Sequence, residues 1–255
     1  MRHVARKRFG QHFLTDVQVI QGIVAAIAPR RDDCVVEIGP GLGALTSPLL
    51  DRVPHLHAIE IDRDLCARLR ERYPPERLSI HQGDVLRFDF ADLPQPLRVV
   101  GNLPYNVSTP LLFHMARVAE RCADLHFMLQ REVVDRLTAA PGSKDYGRLS
   151  VMLQYRYRME RIMNVPPCAF RPEPKVSSAV VRLVPHPAQE LAAIDAERFG
   201  HVVKKAFSTR RKTVKNALSE IISAAKLTEL GIDPGLRAED LPLSAFVAVA
   251  NSRDR

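Results

Sequence analysis

Asn102-Leu103-Pro104-Tyr105 is the tetrapeptide whose residue types most directly suggest chemistry. It follows an apolar run, Leu97 to Val100, that reads as a strand ending in a tight polar turn, the place where an open α/β sheet keeps its active groups. An Asn amide oxygen and the Leu103 carbonyl, restrained by the proline after it, can accept the two hydrogens of a planar exocyclic amine. The Tyr face can stack on the attached ring, so the matching substrate is an amino group on a nucleobase. The competing reading is a surface turn with a half-buried Tyr. The order of motifs around the tetrapeptide must decide between them.

Val35-Val36-Glu37-Ile38-Gly39-Pro40-Gly41-Leu42-Gly43-Ala44-Leu45-Thr46 is a β-rich run that enters a glycine-dense turn and leaves toward a helix. Such a turn brings backbone donors close to a ligand at a helix N-terminus. Gly39, Gly41 and Ala44 also fit the dinucleotide fingerprint, with Glu60 about 20 residues on, so a nicotinamide enzyme stays open on this segment. The next strand, His57 to Asp62, ends in carboxylates placed to accept ribose hydroxyls. A third, Leu78 to Asp84, ends in a carboxylate that can take an adenine amino group. Strand-end carboxylates also cap helices, the role expected of Asp62 ahead of Arg63-Asp64-Leu65.

Glycine turn, ribose-type carboxylate, adenine-type carboxylate and Asn-Leu-Pro-Tyr, in that order, resemble the S-adenosylmethionine-dependent methyltransferases that act on nucleobase amino groups. Further segments extend the likeness: Arg6-Lys7-Arg8-Phe9-Gly10-Gln11-His12-Phe13-Leu14, Phe127 to Glu132, Tyr146-Gly147-Arg148-Leu149-Ser150-Val151, and Phe170-Arg171-Pro172-Glu173-Pro174-Lys175-Val176-Ser177-Ser178. Over nearly its whole length the chain is similar to the ribosomal RNA adenine N6,N6-dimethyltransferase family. It is nearest the bacterial branch that dimethylates two adjacent adenines in the 3′-terminal hairpin of small-subunit (16S) RNA. The resemblance implies S-adenosylmethionine as cofactor, with Gly39 and Gly41 close to it, Glu60 on its ribose, Asp84 on its adenine, Asn102 beside it, and His12 and Leu14 over its methionine end. It implies Asn102, Leu103, Tyr105 and Phe170 around the target base, Phe170 as the wall opposite Tyr105. Glu37 either braces the glycine turn or faces the sulfonium. His12 stands where relatives commonly carry Asn, although an imidazole can still donate to a carboxylate. The implied partner is small-subunit ribosomal RNA in an assembling 30S particle, met by a monomer in the cytoplasm.

The chain has 255 residues, 46% of them hydrophobic, and a formal charge of +8, which suits a packed protein with a polyanionic partner. From Arg198 to Lys215 there are seven cations and no acid. Arg6, Lys7, Arg8, Lys204, Lys205, Arg210, Arg211 and Lys212 are the candidate RNA contacts; the alternative is a solvated helix face. Cys34, Cys66, Cys122 and Cys168 are scattered with no C-x-x-C pair, so neither a metal centre nor a disulfide framework is expected. No apolar run reaches the roughly 18 residues of a membrane span.

Strand-like runs near 34–39, 56–61, 78–82, 97–101 and 124–129 alternate with helical patterns near 17–28, 44–52, 63–72, 108–121 and 131–139. That alternation predicts an α/β, doubly wound sheet, and the resemblance makes it a Rossmann-like methyltransferase sheet with an antiparallel last strand. Runs near 149–157 and 176–184 are expected to supply the final strands. Val184-Pro185-His186-Pro187 divides residues 1–185, a catalytic domain with a basic N-terminal arm, from residues 186–255, a small all-α RNA-binding domain with helices near 195–207, 210–225 and 243–252. A nicotinamide oxidoreductase leaves Asn102 to Tyr105 and the basic tail unexplained. A non-catalytic ribosome-binding or transcription factor has no need of Glu60, Asp84, Asn102 and Tyr105 together. A large-subunit RNA adenine methylase of the macrolide-resistance type shares the catalytic motifs and stays open.

Overall fold

The computed structural model describes residues 11–209 and 211–252. Its main sheet has seven strands: β2 (Cys34–Ile38), β3 (Leu56–Glu60), β4 (Leu78–Gln82), β5 (Leu97–Asn102), β6 (Cys122–Gln130), β7 (Tyr157–Val165) and β9 (Ser178–Pro185), in the order β4-β3-β2-β5-β6-β9-β7. The pairs from β4 through to β6 are parallel, and β9 runs antiparallel to β6. This is the doubly wound sheet expected from the alternation, with the Rossmann-like methyltransferase order and antiparallel strand that the resemblance implied. Val35, Val36, Val99 and Val100 are fully covered, as the middle of a sheet clothed on both faces requires. A short ribbon pairs β1 (Phe13–Leu14) with β8 (Phe170–Arg171), antiparallel.

The helices are α1 (Val17–Ile27), α2 (Thr46–Leu50), α3 (Arg63–Arg72), α4 (Ser108–Arg117), α5 (Arg131–Leu137), α6 (Arg148–Gln154), α7 (Ala196–Ala206), α8 (Val214–Ala217), α9 (Ala224–Glu229) and α10 (Leu243–Asn251). Asp16 starts α1 by accepting the Gln18 and Val19 N–H groups at 2.9 and 3.1 Å, which satisfies donors that the first turn leaves free. Asp62 does the same for α3 through Asp64 N–H at 3.0 Å. β2 has β3 on one side and β5 on the other, so the winding reverses beside it, and a crevice opens outside the carboxyl ends of these strands.

Two compact units emerge. One runs through Val134 and adds Met159–Pro185; the other combines Asp135–Arg158 with the chain from His186 onward. Pro185 is thus a boundary, but the expected first domain of 1–185 loses 135–158 to the helical unit. Within that stretch the strand expected near 149–157 is the helix α6. Leu149 and Leu153 lie one turn apart on its buried side, and Leu, Met and Gln favour helix where only Val151 is β-branched. Ser150 reinforces it, accepting Gly147 N–H at 3.0 Å and donating to the Arg136 carbonyl at 2.6 Å. The strand lies later, at β7. The single helix expected over 210–225 is also corrected: α8 is one turn long, and Ile221 and Ile222 N–H groups both fold back to the Leu218 carbonyl. Each unit has its own apolar core, one around Ile27, Leu49 and Leu56, the other around Phe199, Val202 and Phe246.

At the amino ends of β5 and β6 an ion cluster ties the first unit together. Arg98 grips Asp124 with two bonds, 2.9 and 2.7 Å, and reaches Asp33 at 2.8 Å and the Ala28 carbonyl at 3.1 Å. Arg182 adds a contact to Asp124 at 3.2 Å. Burial opposes the Asp124 charge, but the Arg98 hydrogen bonds outweigh it and hold the carboxyl below its ordinary range. Removing Asp124 takes two hydrogen bonds from Arg98 and leaves it Asp33 and the Ala28 carbonyl. Asp124→Ala should therefore lower unfolding stability by about 1.5–3 kcal/mol in a urea titration; an unchanged midpoint would show that Asp33 alone satisfies Arg98.

Candidate active site

A cavity of about 210 Å³ opens at the carboxyl ends of β2, β3, β4 and β5. It brings together nine of the residues picked from sequence: His12, Leu14, Gly39, Gly41, Glu60, Asp84, Asn102, Leu103 and Tyr105. They come from five separate segments, so only the fold could have assembled them.

The glycine turn is locked from the side. Gly41 N–H donates to Glu60 Oε2 at 3.2 Å, Asp62 N–H to Glu60 Oε1 at 2.9 Å, and Gly39 N–H to the Ile59 carbonyl at 2.9 Å. Gly41 has φ near +59°, and a side-chain carbon there would sit 3.3 Å from the Phe13 ring, so both backbone and space exclude a larger residue. Glu60 is 5% exposed, and burial raises its carboxyl, opposed by backbone hydrogen bonds from Asp62, Gly41 and Ile61. Each of its oxygens keeps a lone pair for a further donor. Asp84 is exposed, lines the cavity, and caps the turn after β4 by accepting Leu86 N–H at 3.0 Å with Oδ1. Glu37 lies deeper, 2% exposed, with Thr46 Oγ1 donating to it at 2.6 Å. Burial pushes its carboxyl up to about 7; the Thr46 bond opposes the rise and the Glu60 charge adds to it.

On the other side of the cavity the Asn102 amide nitrogen donates to the His12 carbonyl at 3.0 Å. Its oxygen is thereby turned away from that carbonyl and remains an acceptor. Tyr105 is fixed at both ends: its hydroxyl meets Ser178 Oγ at 2.9 Å, and its ring stacks on the His12 ring, centroids 5.7 Å apart and planes 26° from parallel. The Ser178 partner was not anticipated, although its motif was. Neither was Gln11, whose amide donates to Asp62 Oδ2 at 3.2 Å and steadies the segment before β1.

His12 Nδ1 lies 2.7 Å from the Pro172 carbonyl, which can only accept, so Nδ1 carries the proton. That bond leaves Nε2 as the ring atom for the cofactor contact expected of His12. Phe170 is 1% exposed, packed in the core beneath β8, and does not line the cavity. It lies opposite Leu14 in the ribbon and packs with it in the first unit's core, so the expectation that Phe170 walls the base slot opposite Tyr105 is corrected.

A profile of the family described as ribosomal RNA adenine dimethylase matches residues 2–254. The chain belongs to this family. Among its relatives, Ribosomal RNA small subunit methyltransferase A of Aromatoleum aromaticum is 61% identical over 98% of this chain and 94% of its own length. The protein of the same name from Dechloromonas aromatica is 57% identical over 98% of each. Among solved structures, a dimethyladenosine transferase from Plasmodium falciparum superposes with a TM-score of 0.81 at 24% identity, covering 93% of this chain and 96% of that one. The 23S rRNA methyltransferase ErmE superposes at 0.72 and 26% identity, covering 93% and 98%.

For this adenine dimethylase relative the cations chosen as RNA contacts divide. Arg6, Lys7, Arg8 and Arg210 lie outside the described residues. Lys204, Arg211 and Lys212 are exposed. Lys205 pairs with Glu220 at 2.5 Å, so the counter-charge missing from the basic run comes from just beyond it. Arg198 donates to the Ala250 and Ser252 carbonyls, both at 2.8 Å, and so clamps α7 to the end of α10.

Glu37 gives the site a measurable pH signature. Its folded carboxyl is raised above the free value of 4.5, so the stability it contributes is whole below that pH and is lost as pH rises through about 7. Glu37→Gln should flatten this part of the stability profile, which spans about 3 kcal/mol, in denaturant titrations from pH 4.5 to 8. A variant with the parent's slope would place the titration elsewhere.

Proposed function

We propose that this protein dimethylates the N6 amino groups of two adjacent adenines in the 3′-terminal hairpin loop of small-subunit ribosomal RNA, using S-adenosylmethionine, during ribosome biogenesis in the cytoplasm. The observation that carries the reading is the fixed pair Asn102 and Tyr105. One offers an amide oxygen whose nitrogen is already engaged, and the other a ring held at its hydroxyl end by Ser178. Among the described residues no helix is long and apolar enough to cross a membrane.

The donor set suits the cofactor. Glu60 and Asp84 retain acceptor oxygens for ribose hydroxyls and an adenine amine, Gly39 and Gly41 allow close backbone approach, and the buried Glu37 carboxylate favours a cation. When bound, S-adenosylmethionine supplies an electrophilic methyl group on a sulfonium. The protein's task is to present the amine. Adenine N6 is a weak nucleophile because its lone pair is delocalised into the ring. Accepting its two hydrogens at Asn102 Oδ1 and the Leu103 carbonyl turns that lone pair out of conjugation, while Tyr105 holds the ring plane. No strong base is needed, since the methylated amine is acidic enough to lose its proton to water. After one transfer a single hydrogen remains, so stacking on Tyr105 carries more of the second step.

The small-subunit reading rests on relatives named for it at 52–61% identity. A monomer acting on an under-assembled 30S particle is part of the proposal. Incubation of ribosomal RNA and 30S precursors with labelled cofactor, followed by mapping of the modified bases, tests it directly: label confined to large-subunit RNA would replace it with the macrolide-resistance type of methylase. Asn102→Ala should cut the first transfer by roughly 100-fold, in the range seen when one preorganised partner of a transition state is lost. Tyr105→Ala should reduce dimethyladenosine at least as strongly as monomethyladenosine, and mass spectrometry of digested RNA separates the two. Normal turnover by Asn102→Ala would dispose of the amine-orienting role.

Glu37 supplies a second, binding-level test. A sulfonium nearby favours its ionised form, so affinity for S-adenosylmethionine relative to the uncharged-sulfur S-adenosylhomocysteine should rise about threefold from pH 6.5 to 7.5. Calorimetry with Glu37→Gln should show a ratio that no longer changes with pH; a flat ratio in the parent would remove Glu37 from the cofactor's field.

A further inference from the structure

The helical unit holds a second cavity, of about 420 Å³, that the proposed reaction does not use. Arg136, Lys144, Arg148 and Lys212 supply four cations to its lining, and Asp145 and Glu239 two acids. Glu239 has Arg237 at 3.9 Å as its own counter-ion, whereas Lys144 and Lys212 form no ion pair among the described residues. The cavity is a built one. Gly142 N–H donates to the Glu239 carbonyl at 2.8 Å, which holds the 142–146 loop against the turn at Ala238, and Lys212 N–H donates to the Thr209 carbonyl at 3.2 Å.

Two hydroxyls in this lining are unexplained. Tyr146 is 5% exposed, yet its hydroxyl oxygen is buried with no hydrogen-bond partner, and Thr209 Oγ1 is in the same condition. Buried donors without acceptors are unfavourable and uncommon in folded proteins. The Tyr146 ring is held edge-on against Phe207, which in turn stacks on Phe246, so the phenol cannot simply swing out to water. Burial pushes that phenol up to about 12, which keeps it a donor at neutral pH. Two orphan donors among an excess of cations call for an anion with several acceptor oxygens. Guanidinium forks and ammonium groups match a phosphate. The carboxylate of Asp145 asks in addition for a donor on the same ligand, and a ribonucleotide carries one in its 2′-hydroxyl.

We propose that this pocket binds a backbone phosphate of the RNA substrate, with Tyr146, Thr209, Lys144 and Lys212 on the phosphate and Asp145 facing the adjoining ribose. The inference rests on the ribosomal RNA reading and adds to it a discrete site. Tyr146→Phe deletes only the orphan hydroxyl. If nothing binds there, the variant should be as stable as the parent or more so, with RNA affinity unchanged. If the phenol donates to phosphate, stability should behave in the same way while affinity for a small-subunit RNA fragment falls roughly 3- to 10-fold and affinity for S-adenosylmethionine stays put. Lys144→Ala should also lower the log–log salt dependence of RNA binding by about 0.7–0.9, one phosphate contact. Parent-like affinity in Tyr146→Phe together with a parent-like salt slope in Lys144→Ala would overturn the pocket while leaving the methylation reading intact. Titration with inorganic phosphate and with adenosine monophosphate, followed by amide NMR, separates the sources: saturation of the Tyr146 and Thr209 signals by a free ligand that does not compete with RNA would overturn the assignment to RNA. A parent protein that binds no ribosomal RNA fragment would sink both readings together.

Discussion

A single buried carboxylate holds the geometry on which the rest of the site depends. Glu60 ends β3, and its two oxygens accept one backbone N–H from the glycine turn after β2 and one from its own loop before α3. Desolvating a carboxylate is costly, and hydrogen bonds to its charged form are what offset that cost. The turn therefore cannot relax away from β3 without leaving a buried charge short of donors. Because Gly41 also lies against Phe13, the same constraint reaches the segment before β1, where His12 and Gln11 sit. A deeper carboxylate, Glu37, is braced by Thr46 at the start of α2 and raised by burial. Two acids close enough to repel one another, with few cations to neutralise them, describe a place that a cationic ligand would stabilise.

The proposed acceptor side follows a different economy, using neutral groups whose orientation is fixed by what they already touch. An unrestrained Asn presents oxygen and nitrogen with near-equal ease; the His12 carbonyl breaks that symmetry for Asn102. The tight run beneath it has its own requirement: a side-chain carbon on Gly101 would come within 2.6 Å of the Ile38 carbonyl, so β5 approaches β2 there only because the residue is glycine. Asn102 is placed by strand packing and then aimed by a backbone carbonyl some ninety positions earlier in the chain. Preorganisation of this kind lowers the reorganisation needed at the moment of reaction.

Most of the first unit was legible in the sequence because its central strands are buried and its turns carry position-specific residues. Val35 to Ile38 and Leu97 to Val100 read as strands from their largely apolar runs, and Asp62 announced a helix start. What was misread had weaker local signals. Leu149 to Gln154 is apolar enough for strand or helix, and its state is decided by packing of Leu149 and Leu153 and by the Ser150 bonds, none of which a sequence displays. Phe170 belonged to a matching motif, but its burial comes from packing in the first unit's core, which the motif does not display. Lys205 looked unpaired because Glu220 is fifteen residues away and arrives only through the turn after α8. Ser178 was in view as part of a motif, and nothing in its surroundings could announce a tyrosine seventy-three positions earlier.

His12 shows how a departure from a family pattern can be absorbed. The structure uses three properties of this residue: its carbonyl accepts from Asn102, its Nδ1–H donates to Pro172, and its ring covers one face of Tyr105. The first is a backbone contact and is indifferent to the side chain. The second could be made by the amide of an Asn, which is also a short donor. Only the third needs a ring. A residue whose essential contact is made by its carbonyl can change type without disturbing the turn it supports. The imidazole adds a stacking partner that leaves just one Tyr105 face open to a target base. On this account the position tolerates histidine because the Asn102 amide is aimed by main chain, and what histidine changes is how tightly the Tyr105 plane is held before any base arrives.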